Sequence, residues 1–132
     1  MEQMVVFHLD DNKYALPLYS VERILQAVTI TCLPKASGPI LGVINVHGRV
    51  FSVVNTRQQF GLPKREMMLS DQLIVIHSEQ KPMALLVDRV TEVIEQDAQH
   101  MVSADTISHG IRYINHIVKG HDGLIFVLKE PS

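Results

Sequence analysis

Residues 42–55 read Gly-Val-Ile-Asn-Val-His-Gly-Arg-Val-Phe-Ser-Val-Val-Asn. Two runs rich in β-branched residues flank His47-Gly48, and glycine readily takes the positive φ angle that a tight turn requires. The stretch therefore predicts a β-hairpin. Thr56 follows it directly and is placed to cap a short helix that ends near Gly61.

Further short strands are predicted on both sides of this hairpin, at residues 4–9, 14–18, 73–77, 83–94, 111–119 and 124–128. Pro17 has no amide hydrogen, so its strand is expected at a sheet edge or at a bulge. Residues 21–33 match both helical and strand spacing, and a bent strand is favoured. The strand at 83–94 is expected to bend near Asp88.

Composition points to a β protein. The chain has 16 valines and 12 isoleucines but only six alanines, a balance that favours strands over helices. Its 132 residues suit one compact domain or two small lobes that share a core. Ile44-Asn45 recurs seventy residues later as Ile114-Asn115, again before a glycine turn. This recurrence predicts a duplicated small barrel with few short helices.

Charge and cysteine content limit the class of partner and the compartment. Twelve Lys and Arg against 14 Asp and Glu give a net charge of −2, without a basic stripe, so nucleic acid is not expected as a partner. Cys32 is the only cysteine and cannot form an internal disulfide. Residues 1–8 lack the basic start and apolar middle of a secretory signal. We expect a cytoplasmic protein that does not insert into a membrane.

The sequence shows no pattern of catalytic residues. GxSxG, GxxxxGK[ST], GxGxxG and HExxH are all absent, which favours a binding module over an enzyme. The alternative is a small ligand-binding or metal-binding β-barrel that uses His109, His116 and His121. Met67-Met68 lies in a predicted loop, where soft side chains suit either adaptable contacts or gap-filling in the core.

Residues 39–55 resemble the CheW-like chemotaxis adaptor family, whose usual pattern reads G-V-x-N-L-R-G-x-[IV]-[IV]-P-[VI]-V-D-L. Tyr14-Ala-Leu-Pro-Leu18 and Leu85-Leu-Val-Asp-Arg-Val90 match further family segments, in register over nearly the whole chain. The resemblance implies an all-β fold of two intertwined SH3-like five-stranded β-barrels that share a core. It also implies that residues 1–132 form a single CheW-like domain.

The function implied by the resemblance is a non-enzymatic scaffold that couples chemoreceptors (methyl-accepting chemotaxis proteins) to a CheA-type histidine kinase. The resemblance implies no cofactor. The family's kinase-binding surface maps to Val5, Leu18, Val21 and Ile24, each of which could instead belong to the core. The family's receptor groove between the barrels maps to Gly42, Asn45, His47, Val87 and Asp88. Gly42 and Asn45 could equally serve a turn or a strand end. A stand-alone relative of the kinase's regulatory domain, with the same fold, is a third interpretation.

The chain departs from the family pattern at several positions. His47 stands where the family usually has arginine, whose guanidinium carries a permanent charge and a fixed pair of donors. Ser52 replaces the usual proline, and Asn55-Thr56 replaces Asp-Leu. These changes predict altered contacts and a specialised chemosensory pathway.

Overall fold

The computed structural model describes residues 2–26, 30–32, 38–63, 65–77, 81–96, 101–103, 114–120 and 123–128. These residues form one four-residue helix, α1 (Thr56–Gln59), and a 3-10 turn at Leu18–Ser20. They also form twelve strands: β1 (Glu2–Leu9), β2 (Asn12–Pro17), β3 (Val21–Gln26), β4 (Thr31–Cys32), β5 (Ile40–Val46), β6 (Arg49–Asn55), β7 (Gln72–Ile76), β8 (Met83–Val87), β9 (Arg89–Gln96), β10 (Met101–Ser103), β11 (Ile114–Gly120) and β12 (Gly123–Leu128). The expected all-β class is confirmed.

The strands make two sheets, in the order β10-β11-β12-β2-β1-β9 and β3-β7-β8-β6-β5-β4. In each sheet, two strands that follow one another in the chain lie at opposite edges. Gln26 and Thr31 are five residues apart, as are Gln96 and Met101, so an extended chain spans about 18 Å between them. The edges of a flat six-stranded sheet lie about 24 Å apart. Each sheet is therefore rolled, and we name the first barrel 1 and the second barrel 2.

The barrels are intertwined because each half of the chain contributes to both. The hairpin β1–β2 lies in barrel 1, the chain then builds β3–β6 of barrel 2, and β7–β8 completes barrel 2 before β9–β12 returns to barrel 1. This confirms the expected fold. Among the described residues each sheet has six strands rather than five, because the short strands β4 and β10 extend them.

The duplication extends to single residue pairs. Val53 of β6 pairs in parallel with Ala84 of β8, and Val127 of β12 pairs in parallel with Ala15 of β2. The hairpin ends Val46/Arg49 and Gly120/Gly123 also correspond, which makes the offset between the two hairpins 74 residues. The seventy-residue recurrence therefore indicated the right two hairpins, but its register was wrong by four residues.

Three apolar clusters hold the fold together. One fills barrel 1 around Met4 and Val6, and another fills barrel 2 around Phe51 and Val53. The third lies between the barrels and takes buried side chains from both: Phe7, Leu9, Tyr14, Leu16, Ile114, Ile117 and Leu128 from barrel 1, and Val54, Ile74, Ile76, Leu85 and Val87 from barrel 2. This shared core explains why several strands are apolar on both faces.

Two local predictions need correction. Pro17 ends β2, which is an interior strand rather than an edge strand. It is tolerated because β12 pairs only with residues 13–15, so no ladder bond is lost at Pro17.

The helix α1 is capped by Asn55 rather than by Thr56, since the Asn55 side chain accepts a hydrogen bond from the Gln58 amide. Asparagine caps a helix as well as the aspartate usual in the family.

Thr56→Val is expected to stabilise the protein. Thr56 is completely buried and its Oγ1 has no hydrogen-bond partner among the described residues, so the hydroxyl carries a desolvation cost that the isosteric valine avoids. We expect the free energy of unfolding in urea to rise by about 1 kcal/mol. Thr31→Val, at an exposed position on β4, is the control and should change it little. A drop in stability for Thr56→Val would show that the hydroxyl is satisfied.

Candidate functional site

Asp88 occupies the break between β8 and β9, where the chain passes from barrel 2 to barrel 1. Its carboxylate accepts a hydrogen bond from the Asp10 amide at 2.7 Å. It accepts two more from Arg57, at 3.2 Å from Nε and 2.6 Å from Nη2, and one from Arg65 Nη2 at 2.6 Å. The predicted bend at Asp88 is confirmed, and the bend places a carboxylate where three segments meet.

Two further carboxylates complete what we name the Asp88 cluster, formed by Asp10, Arg57, Arg65, Asp71 and Asp88. Arg57 Nη2 donates to Asp10 Oδ1 at 2.5 Å, and Arg65 Nη2 donates to Asp71 Oδ1 at 2.8 Å. Asp10 belongs to the β1–β2 turn of barrel 1, whereas Arg57 lies on α1 after β6 of barrel 2. The cluster therefore ties the two barrels together through ion pairs of Arg57, whose side chain is 9% exposed, with Asp88 at 20% and Asp10 at 43%.

The electrostatics of the cluster favour ionised Asp88. Burial raises the pKa of Asp88, but the hydrogen bonds from the Asp10 amide and the guanidiniums of Arg57 and Arg65 outweigh burial, so this pKa lies below its ordinary value. The stabilisation is therefore present above the pKa of an unfolded aspartate, about 3.9, and is lost as pH falls through the lower folded value.

A pocket opens beside the Asp88 cluster. Its apolar wall is formed by Leu41, Met67, Leu86 and Val87, and its polar wall includes Asp88 and both arginines of the cluster. We name it the groove pocket. Val87 and Asp88 of the expected receptor groove line it. Val87 is only 1% exposed and belongs to the shared core, so its assignment to a contact surface is corrected to the core.

The other three expected receptor residues lie along the β5–β6 hairpin, and two have evident structural roles. A Cβ on Gly42 would lie 2.2 Å from the Thr31 carbonyl oxygen, so only glycine lets β4 approach β5. Asn45 Oδ1 accepts the Gly48 amide at 2.9 Å and holds the turn. His47 is exposed at the tip with φ +50°, beside Gly48 at +85°. Asn45 and His47 remain accessible to a partner.

Arg49 is a hairpin residue that sequence reasoning missed. Its guanidinium lies 4.9 Å from the centre of the Phe51 ring and 3.3 Å from a Glu22 carboxylate oxygen. A permanent positive charge is thus present two residues after His47, where the family pattern has no specified residue. The only available signal was the arginine itself, next to the turn.

The expected kinase residues divide into surface and core. Val5 is only 1% exposed, so its assignment to a contact surface is corrected to the core. Leu18 and Ile24 are 37% and 39% exposed, while Val21 is half-buried and packs against the shared core. Tyr19, which sequence reasoning did not single out, is exposed beside Leu18.

The histidine alternative falls mostly outside the described residues, because His109 and His121 do so. His116 lies on β11, half-buried, with its Cα paired to those of Val127 and Ser103. In the part of the chain that the structure describes, no three His, Cys, Asp or Glu side chains are grouped so that they could hold a metal ion.

The family model described as CheW-like domain matches residues 3–131. The chain belongs to the CheW-like domain family. Members of this family are non-enzymatic scaffolds of chemotaxis signal transduction.

Individual relatives agree with this assignment. The chemotaxis protein CheW of Helicobacter pylori is 26% identical over 128 residues, which cover 96% of this chain and 78% of that protein. The chemotaxis protein CheW of Treponema pallidum is 21% identical over 132 residues. The crystal structure of the scaffolding protein CheW from Thermoanaerobacter tengcongensis superposes with a TM-score of 0.87 and 27% identity, covering 97% of this chain and 84% of that one.

Asp88→Asn is expected to lower stability and to flatten its pH dependence. The amide cannot balance the two guanidiniums, so we expect the free energy of unfolding at pH 7 to fall by about 2–3 kcal/mol. Between pH 5 and pH 2 the wild-type protein should lose stability more steeply than the variant, measured by urea unfolding at several pH values. Glu66→Gln, at an exposed position, is the control. Parallel curves for wild type and Asp88→Asn would assign the acid sensitivity to other carboxylates.

Gly42→Ala is expected to be destabilising for a steric reason, by about 1–3 kcal/mol in chemical denaturation. Gly48→Ala is the comparison, because its Cβ would meet nothing within 4 Å and only its positive φ is strained, a cost of about 1 kcal/mol. Equal losses for the two variants would argue against a tight contact between β4 and β5.

Proposed function

We propose that this CheW-like scaffold binds the regulatory domain of a CheA-type kinase through Leu18, Val21 and Ile24, and a chemoreceptor signalling tip through the groove side of the β5–β6 hairpin. Coupling of receptors to CheA is the function of the family to which the chain belongs. The observation that carries the proposal is the match of both sequence and fold along nearly the whole chain.

The assignment of the kinase surface is supported by large apolar side chains that are exposed at the edge of a sheet. Leu18 lies in the 3-10 turn, and Ile24 lies on β3, the outer strand of the barrel 2 sheet. Both side chains are partly exposed although large and apolar, which is typical of the centre of a protein–protein interface. Val21, which lies between them in sequence, packs on the shared core.

The receptor surface is supported by the groove pocket and the hairpin tip. Val87 and Asp88 line the pocket, while Asn45 and His47 stand exposed at the end of the hairpin. Asp88 already accepts four hydrogen bonds, so we assign it the role of holding the groove in shape. Gly42 contributes by keeping β4 against β5.

The proposal places the protein in the cytoplasm, with protein partners and no nucleic acid. The net charge of −2 does not favour phosphate contacts. Within the described ranges, no helix combines the length and the apolar character needed to cross a membrane.

Ile24→Asp and His47→Asp separate the two surfaces. Ile24→Asp should weaken binding to the kinase regulatory domain about tenfold or more, because it places a charge in an apolar contact, and should leave receptor binding unchanged. His47→Asp should weaken binding to the receptor and leave binding to the kinase regulatory domain unchanged. The affinity of both variants is measured by titration against the purified kinase domain and a soluble receptor-tip fragment from the same organism. Leu124→Asp, at an apolar position that is 54% exposed on β12, is the control.

Two results would contradict the proposal. Folded wild-type protein that binds neither partner would remove the assignment of these partners. Binding of both partners at unchanged affinity by Ile24→Asp and His47→Asp would show that the surfaces lie elsewhere.

A further inference from the structure

Three basic side chains stand in one row across barrel 1. His8 of β1 pairs with Lys13 of β2 on one side and with Arg89 of β9 on the other. Residues paired directly across antiparallel strands project from the same face of the sheet. Because neighbouring strands lie about 4.8 Å apart, the long side chains of Lys13 and Arg89 can both reach a ligand above the His8 ring. We name Lys13, His8 and Arg89 the basic row.

The electrostatic potential at the His8 ring is positive. Burial lowers the pKa of His8, and the charges of Arg89 and Lys13 lower it further. The carboxylates of Glu92 and Asp88 act in the opposite direction, but each acts more weakly than either cation. The basic row therefore has the local charge that an anion requires.

Asp88 does not neutralise the basic row, although it directly precedes Arg89. Its carboxylate is held by Arg57 and Arg65, and consecutive residues of an extended chain point to opposite faces. The Asp88 amide donates to the His8 carbonyl at 3.1 Å, which fixes the backbone of the row at the crossover between the barrels. The row is thus anchored without a ligand.

A cleft of about 620 Å³ opens beside the basic row, and Lys13 and Glu92 line it. Its other charged side chains are Glu95 of β9 and Lys119 of β11. The two lysines and the two glutamates balance, so the excess positive charge at this cleft comes from Arg89, which is exposed. The cleft gives an ion access to the row from solvent.

The accessible wall of the cleft is mostly polar. Val118 and Ile125 line it but are only 0% and 3% exposed, whereas Ile94 is half-buried. Little apolar surface is therefore available to a ligand, and the chemistry of the site favours a small ion over an apolar molecule.

We propose that the basic row binds a doubly charged tetrahedral oxyanion, either a phosphate group or sulfate. A tetrahedral anion presents a separate oxygen to each of the three donors, whereas a planar carboxylate has only two oxygens. The chain as a whole carries a net charge of −2, so the row is a local site for one ion rather than a surface that follows a nucleic acid. The site lies on barrel 1 and requires neither of the proposed protein partners.

The test starts with sulfate, which stays doubly charged over the range in which histidine titrates, so that any pH dependence of binding comes from the protein. NMR of the His8 imidazole, assigned with His8→Gln, should show a saturable shift when sodium sulfate is added at constant ionic strength. Sulfate should raise the pKa of His8, because the protonated ring gains an anionic partner. Sulfate binding should therefore tighten as pH falls through the pKa of His8. Inorganic phosphate should shift the same signal.

Substitutions in the basic row are compared with the same charge change elsewhere. Lys13→Gln and Arg89→Gln should each weaken sulfate binding about tenfold, because each removes a charged hydrogen-bond donor. Arg23→Gln removes a positive charge from an exposed position on β3 of barrel 2. It is the matched control and should change sulfate affinity by less than about twofold.

Two results would overturn the proposal. The first is a His8 signal that moves no further in sodium sulfate than in sodium chloride of the same ionic strength. The second is an equal loss of affinity in Arg23→Gln and Arg89→Gln, because the protein would then attract an adventitious ion only, through its overall charge. Either result would leave the proposed binding of kinase and receptor standing.

Discussion

The apolar core between the two barrels is built from side chains that neither barrel could bury alone. Phe7 and Leu16 come from barrel 1, and Ile74 and Leu85 from barrel 2. Strands β1, β2, β7 and β8 therefore bury one face in a barrel interior and the other in this shared core. Because burial of apolar area is the main favourable contribution to folding, the relative position of the barrels is set by the same side chains that stabilise them.

The Asp88 cluster adds directional ion pairs to this apolar contact between the barrels. Apolar packing is not directional, whereas the guanidinium of Arg57 meets the carboxylates of Asp10 and Asp88 at fixed angles. The cluster sits where the chain crosses between the barrels, and Arg65 extends it to the segment that carries Met67. The Asp88 carboxylate thereby orients the crossover between the barrels, α1 and one wall of the groove pocket. The proposed receptor surface therefore depends on a residue that is itself mostly covered.

Sequence reasoning predicted the hairpins and the family well, and the site less well. The hairpin at 42–55 and the bend at Asp88 were correct because turn chemistry and strand breaks are local. Val5 was misplaced, since an apolar residue in a strand gives no sign of whether distant segments will cover it. The helix cap fell on Asn55 instead of Thr56 because both residue types cap helices and only the backbone geometry decides. Arg57 and Arg65 gave no signal, as their partners lie up to 47 residues away in sequence.

The sequence by itself determined the β class, the turn at Gly48 and membership of a scaffold family, because these depend on residue type and short spacing. Tertiary structure decided which hairpin joins which barrel. The order β1–β2, then β3–β8, then β9–β12 lets each half of the chain complete the other's barrel, and no local pattern encodes that exchange. It also decided that Asp88 is held by three segments and that Met67 and Val87 line the same pocket. These contacts form only when distant segments pack, since they depend on the position of one barrel against the other.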